Sequence, residues 1–268
     1  MHGTFEIGVP VWRRLWLHAV GIGVILFLIV PVFIIIPMSF SSSQYFEFPP
    51  KDFSLRWYES YFHSVEWMEA TWVSLRVAFF TMLLATPLGI AAAYGLTFTR
   101  HRAVPMLRAT VVAPMIIPVI IVAIGVFYLY ARIGLVNTIF GLVLAHTVLA
   151  IPFVVIIVTA GLRRFDTALE NAAMSLGANR FLAFVTVTLP SIRRSVFAAA
   201  LIALITSLDE VVVALFISLG EKATLTRRMF ASLRDQVDPT IAAISTLLIC
   251  VSLVVVVFYS VQASRPKK

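Results

Sequence analysis

The chain returns six times to an apolar run of the length a helix needs to cross a bilayer, where about 20 residues span a hydrocarbon core of about 30 Å. The runs are residues 15–38, 77–98, 110–130, 138–161, 196–219 and 241–263. Of 268 residues, 60% are hydrophobic and 13% charged, against about a quarter charged in an ordinary soluble domain. A soluble fold is excluded, and the expectation is an all-α integral membrane protein with six transmembrane helices.

Basic residues set the orientation. With the N-terminus inside, the cytoplasmic side collects Arg13, Arg14, Arg100, Arg102, Arg108, Arg163, Arg164, Arg180, Arg193, Arg194, Arg265, Lys267 and Lys268, thirteen of 21. Both termini are then cytoplasmic. The layout is a cytoplasmic segment 1–14, a single transmembrane domain 15–263 and a cytoplasmic tail 264–268. Within the domain, 39–76 and 220–240 are external and 162–195 is a cytoplasmic loop. The net charge of +8 reflects this topology and contact with anionic lipid, and does not point to nucleic acid. Although Arg13 and Arg14 precede the first run and Ser39-Phe40-Ser41 resembles a cleavage site, the run exceeds a signal-peptide core of about 7–15 residues and is read as a retained span. The single cysteine, Cys250, forms no intrachain disulfide and is expected to fill space among helices.

The external segment interleaves Phe46, Phe48, Phe53, Trp57, Tyr58, Tyr61, Phe62, Trp67 and Trp72 with charges, the chemistry of a headgroup-level segment. A short helix is predicted to start at Ser54-Leu55-Arg56-Trp57-Tyr58, after Pro49-Pro50. Pro31, Pro37, Pro87, Pro114, Pro118 and Pro152 each remove a backbone donor within a run. They suit kinked helices around a pathway, and proline is also simply commoner in membrane helices. Asp238-Pro239 reads as an N-cap and first-turn proline for the last run. Arg227, Arg228, Arg234 and Asp235 form a mixed-charge surface that suits either a docking protein or a solvated loop.

The cytoplasmic loop is a polar island with its own helix signals. Thr167-Ala168-Leu169-Glu170 has the form of a capping box. Ala168, Ala172 and Leu176, with Leu169 and Ala173 beside them, make a narrow stripe of mostly small residues. Gly177 suits a left-handed stop, Asn179 a cap for a second short helix through Thr186, and Pro190 the first turn of the fifth span. Such a pair either docks a partner or packs on its own membrane domain.

The spacing Asn171-Ala172-Ala173, three residues, Gly177, nine residues, Val187-x-Leu189-Pro190 resembles the EAA motif of ABC importer permeases, which reads Glu-Ala-Ala, three residues, Gly, nine residues, Ile-x-Leu-Pro. Asn171 stands in place of the motif's Glu, with Glu170 just before it, and Val187 in place of Ile. Further runs resemble the spermidine/putrescine permease family: Ser54–Tyr58, Gly141–Thr147, Pro152–Val155, Ser207–Val213, Met229–Asp235 and Asp238–Thr240. The resemblance implies a type I (MetI-like) importer permease in a bacterial cytoplasmic (inner) membrane, carrying a polyamine or related small cationic amine. It assigns ATPase coupling to Glu170, Asn171, Ala172, Ala173, Gly177, Leu189 and Pro190. The implied partners are a second permease subunit, ABC ATPase subunits and an extracytoplasmic substrate-binding protein, together with membrane lipid. No cofactor is implied on this chain. ATP and Mg belong to the ATPase, in keeping with the lack of a G-x-x-x-x-G-K-[ST] loop here.

Asp209 and Glu210 fall inside the fifth run, where a central carboxylate costs roughly 2.5–3.5 kcal/mol on insertion scales. Three uses are open: lining a cationic pathway, holding or gating helices, or being protonated. On a continuous helix the two point about 100° apart and cannot share a face. Thr206, one turn earlier, extends either face, and His146 in the fourth run, followed by Thr147, is the other buried polar site expected. His146 is read as an interhelical hydrogen-bond partner more readily than as a ligand, and with no second His or Cys at metal spacing no metal site is expected. Together Asp209, Glu210, Thr206 and His146 make the candidate substrate pathway. The competing functions are a permease for another small solute, aminophosphonate or opine-like, and a proton-coupled secondary carrier. An intramembrane hydrolase is demoted, since the chain has neither H-E-x-x-H nor a serine in an obvious nucleophile elbow.

Overall fold

The structure, a computed structural model, describes residues 11–235 and 238–263, with side chains described from Leu15 to Leu253. Expectations for residues 1–10 and the 264–268 tail, and the side chains of Arg13, Arg14, Arg265, Lys267 and Lys268, lie outside the described residues. The described residues are helical, with no strand and one isolated antiparallel bridge, Ser41 to Phe53. Two compact units divide the chain, one joining the stretch up to Ser64 to that from Ser232 onward, the other running Val65–Ala231.

In the first unit, α1 (Val11–Met38) and α2 (Arg56–His63) pack against α13 (Thr240–Ala263). Helix α2 begins where the sequence predicted, with Trp57 and Tyr61 buried. The stretch before it folds back on itself: Ser42 N donates to the Asp52 carbonyl at 3.2 Å, and the Ser39 and Tyr58 hydroxyls pair at 2.7 Å. The Asp238 carboxylate accepts from Thr240 N at 2.8 Å and caps α13 as expected. Cys250 is a correction, because it lies exposed on α13 and fills no space among helices.

The second unit is built on α3 (Val65–Phe98), α6 (Ile139–Leu162) and α10 (Arg193–Asp209), which pack on one another. On α3 the residues Ser74, Val77, Ala78, Thr81, Ala85, Gly89, Ala93 and Leu96 recur at three- and four-residue steps and are all buried. Helix association in lipid lacks the hydrophobic drive of water and relies on close packing, for which small residues are needed. Gly89 shows how close the approach is: a β-carbon there would stand 2.4 Å from Cγ1 of Val154 on α6. Ala199 and Ala203 supply the small face of α10, fully buried with Val154, Val158 and Leu162.

Two expected spans are broken. The 110–130 run lies in α4 (Val104–Ile116) and α5 (Val119–Ile133), bent by 100°. Pro118 drives the break by lacking an N–H and pushing Ile117 into extended backbone, φ −72° and ψ 131°. In the fifth run α10 stops at Asp209, and a short α11 (Val212–Ile217) follows Glu210, which is extended at φ −74° and ψ 111°. Among the described residues, three helices are long and apolar enough to cross a membrane alone: 15–38 of α1, α3 and α6. The total reaches five if two bent pairs each count as one span, α4 with α5 and the helical stretch 180–191 with α10.

Gly89→Leu should force α3 off α6, an overpacking change of about 1–3 kcal/mol. The check is the thermal midpoint of purified protein in detergent, which should fall, whereas Gly95→Leu, where a β-carbon meets open space, should leave it unchanged.

Candidate coupling surface and translocation groove

After α6 the chain turns through α7 (Thr167–Ser175), α8 (Arg180–Ala183), a π turn (Phe184–Thr188) and α9 (Leu189–Ser191). The capping box is a correction. Asp166, one residue earlier, caps α7 by accepting from Ala168 N at 2.9 Å, and Glu170 is drawn elsewhere. The C-terminal stop is as predicted. Gly177 has φ +98°, with Gly177 N bonded to the Met174 carbonyl at 3.0 Å and Ala178 N to that of Ala173 at 3.1 Å, the paired closure of a Schellman turn. Asn179 caps α8 through Leu182 N at 2.8 Å.

Pro190 is a second correction, since it closes this helical segment instead of opening the fifth span. The π turn bonds Leu189 N to the Phe184 carbonyl and widens the helix just ahead of the proline ring, which otherwise presses on the carbonyl four residues back. The chain then bends by 80° at Ile192 into α10.

Glu170 is buried at 6% exposure. Tyr94 of α3 donates to its Oε1, and Thr188, fully buried in the π turn, donates to its Oε2 at 2.5 Å. The carboxylate therefore ties both short helices to the end of α3. Asn171, Ala172 and Gly177 are exposed, Ala173 and Leu189 half-buried, and Pro190 exposed. Beside them Leu176 and Phe181 stand 90% and 76% exposed, an apolar surface that none of the described residues covers. Tyr94 and Thr188 were not predicted, because nothing local in the sequence points either residue at Glu170.

The helix breaks create a groove of about 360 Å³. Pro114, Met115 and Val119 line it from the α4–α5 bend, Leu149 and Phe153 from α6, and Ile205, Thr206, Asp209 and Glu210 from the α10–α11 break. Asp209 and Glu210 share this groove, correcting the expectation that neighbours on one helix face apart. The helix ends between them. The freed backbone is satisfied locally, with Glu210 Oε1 accepting from Val213 N at 2.8 Å and Thr226 of α12 (Leu225–Asp235) donating to the Glu210 carbonyl at 3.3 Å. The far end of α11 is pinned by Asn137, at φ 59°, whose N–H donates to the Ile217 carbonyl at 2.7 Å while its side chain accepts from Leu219 N at 2.9 Å. Asn137 was not singled out in the sequence, because its partners Ile217 and Leu219 lie about 80 residues away.

His146 does not line the groove. It is buried at 1% exposure, with Nδ1 2.8 Å from the Ser207 hydroxyl, which reaches Thr81 at 3.4 Å, so one polar cluster joins α6, α10 and α3. At the other face Leu225 N donates to the Ser74 hydroxyl at 2.7 Å, and Arg228 pairs with Glu66 over the Trp67 ring.

Comparison with known proteins gives concordant results. The family model described as binding-protein-dependent transport system inner membrane component matches residues 85–268. The chain is 30% identical over 231 residues to the spermidine/putrescine transport system permease protein PotC of Haemophilus influenzae, covering 86% of this chain and 90% of the relative. It is also 30% identical over 247 residues to the putrescine transport system permease protein PotI of Escherichia coli, covering 90% and 88%. Among solved structures, a bacterial ABC transporter for import of the acidic polysaccharide alginate superposes with a TM-score of 0.70 over 99% of this chain and 100% of that one, at 16% identity. The alginate transporter in complex with its alginate pentasaccharide-bound periplasmic protein gives 0.73 over 97% and 98%, at 17% identity. These two likenesses establish the fold.

Glu170→Ala should strand the Tyr94 and Thr188 hydroxyls, costing about 1–3 kcal/mol at the junction, and release the short helices. Limited proteolysis should then cut between residues 163 and 192 faster than in the parent. Glu170→Gln keeps an acceptor and should be cut at close to the parental rate.

Proposed function

The chain belongs to the binding-protein-dependent transport system inner membrane component family and is a permease subunit of the ABC-importer type, and from that premise we propose that it carries a polyamine or related small cationic amine into the cell. The carrying observation is the groove in which Asp209, Glu210 and Thr206 come together. An ammonium leaving water for a membrane interior loses hydration worth many kcal/mol, and carboxylates facing a low-dielectric passage offset part of that loss. A doubly or multiply protonated amine needs more than one such group. Relatives that are spermidine/putrescine and putrescine permeases support the same substrate class.

In this reading the chain crosses a bacterial inner membrane six times with both termini cytoplasmic, as a single domain over 15–263. The bent pair α4–α5 makes one span, α10 with α11 another and α13 the last. The loop 162–195 is the cytoplasmic coupling element, with Glu170 holding it to α3 and Asn171, Ala172, Ala173, Gly177, Leu189 and Pro190 shaping or forming the surface offered to an ATPase. ATP and Mg act on that partner chain. A second permease subunit completes the pathway, and a substrate-binding protein meets the external side, where the segments 39–76 and 220–240 lie. His146 serves by tying three helices together. The two acidic groups favour a cation over an anionic solute such as an aminophosphonate.

The test is uptake of radiolabelled spermidine or putrescine by assembled transporter carrying Asp209→Asn or Glu210→Gln, with expression, assembly and binding-protein affinity checked. Glu210→Gln keeps the acceptor for Val213 N, so its effect reports charge and not the helix break. Uptake should fall about tenfold or more in at least one variant, the effect of raising a barrier by about 1.4 kcal/mol. Parental uptake in both would reject the cationic pathway, and uptake persisting without ATP would reject the ATP-driven reading.

A further inference from the structure

A second groove lies between α4 and α6 and has the opposite electrostatic character. It encloses about 450 Å³, and three arginines line it: Arg108 from α4, and Arg163 and Arg164 from the end of α6. No carboxylate lines it, and among the described residues none of the three arginines belongs to an ion pair. Arg108 is held in place by a bond from Nη2 to the Leu96 carbonyl at 3.2 Å, which leaves the rest of its guanidinium free to face the groove. Beyond the arginines the walls turn apolar, with Val112 on α4 and Ile156 and Ala160 on α6, and Ile156 is nearly half exposed.

That combination selects its occupant. A cationic amine is repelled by three guanidiniums and is a poor occupant of this groove. A small free anion would satisfy the arginines and leave the apolar wall in water. An amphiphile with an anionic head satisfies both: guanidinium groups bind phosphate oxygens bidentately, and an acyl chain covers the α4–α6 wall. Basic pockets between membrane helices at a cytoplasmic face hold phospholipid headgroups by this chemistry. We propose that the groove between α4 and α6 is a binding site for one anionic phospholipid, with its phosphate among Arg108, Arg163 and Arg164 and an acyl chain along Val112, Ile156 and Ala160. The site requires only that α6 crosses a bilayer, and it stands whatever solute is transported. Its placement at the foot of α6, where the chain leaves for α7, makes the lipid a brace for the start of the 162–195 loop.

The experiment uses the assembled transporter in nanodiscs containing phosphatidylglycerol with a photoreactive group on its acyl chain, followed by peptide mapping. Labelling should concentrate on α4 and on α6 around Ile156. It should fall about tenfold or more in Arg108→Gln/Arg163→Gln, since each basic group near the surface strengthens anionic-lipid binding several-fold, and it should also be lost in Ala160→Trp, which fills the groove without changing charge. Arg100→Gln/Arg102→Gln removes the same charge outside the groove and should label like the parent. Equal thermal midpoints across the set will show that the variants are folded. Excess unlabelled phosphatidylglycerol should compete, whereas phosphatidylcholine and inorganic phosphate should not. Labelling spread evenly around the chain and unchanged in the groove variants would mean bulk lipid and overturn the site. Competition by inorganic phosphate would make it a free-anion site, and absence of label in the assembled complex would give the groove to a subunit contact.

Discussion

Backbone polar groups inside a membrane have no water to fall back on, and this requirement governs where the chain may stop being helical. Each unsatisfied group in hydrocarbon costs several kcal/mol, so a break survives only where something on hand closes it. At Glu210 the residue's own carboxylate takes Val213 N and a threonine hydroxyl takes its carbonyl. At the end of α11 one asparagine serves as donor and acceptor together. The interruption is therefore built in, and it does for the site what a straight helix cannot. It turns two adjacent carboxylates toward one groove.

Around that break the packing is tight and several polar side chains bond across helices. The small-residue stripe of α3 lets α6 and α10 close in, and the cluster of His146, Ser207 and Thr81 fixes how the three helices sit. Glu170 does the corresponding job at the other end of α3, through Tyr94 and Thr188. One helix is thus tied both to the charged groove region and to the exposed short helices. In the proposed reading, a push by an ATPase on Leu176 or Phe181 would reach α3 through the Glu170 bonds to Tyr94 and Thr188.

Features set by local chemistry were legible in the sequence. The turn at Gly177, the caps at Asn179 and Asp238, the start of α2 and the bounds of α6 each depend on a few consecutive residues, and the structure has them where they were expected. The carboxylate pair in the fifth run was likewise visible as a charge in an expensive place. What was hidden depends on residues far apart in the chain. Asp166 displaced Thr167 as the cap because Glu170 had better partners 76 and 18 residues away. The α10–α11 break contains neither Gly nor Pro and is closed by the Glu210 side chain and by Thr226, so period and breaker signals read straight through it. Pro118 did carry its signal, and there a proline read as a kink proved to be a break of 100°.

The fifth run is interrupted at Glu210, and Thr206, Asp209 and Glu210 line one groove. Single cysteines placed at Thr206, Ser207, Asp209, Glu210 and Val213, in an assembled transporter whose one native cysteine, Cys250, is replaced by serine, test it directly through their reaction with a membrane-impermeant charged thiol reagent. Modification should be rapid at 206, 209 and 210 and slow at 207 and 213, where the native residues are buried. An uninterrupted helix would place 209 and 210 about 100° apart and bring 206 and 213, seven residues apart, onto nearly the same face. Reaction at only one of 209 and 210, with 206 and 213 behaving alike, would contradict the interruption.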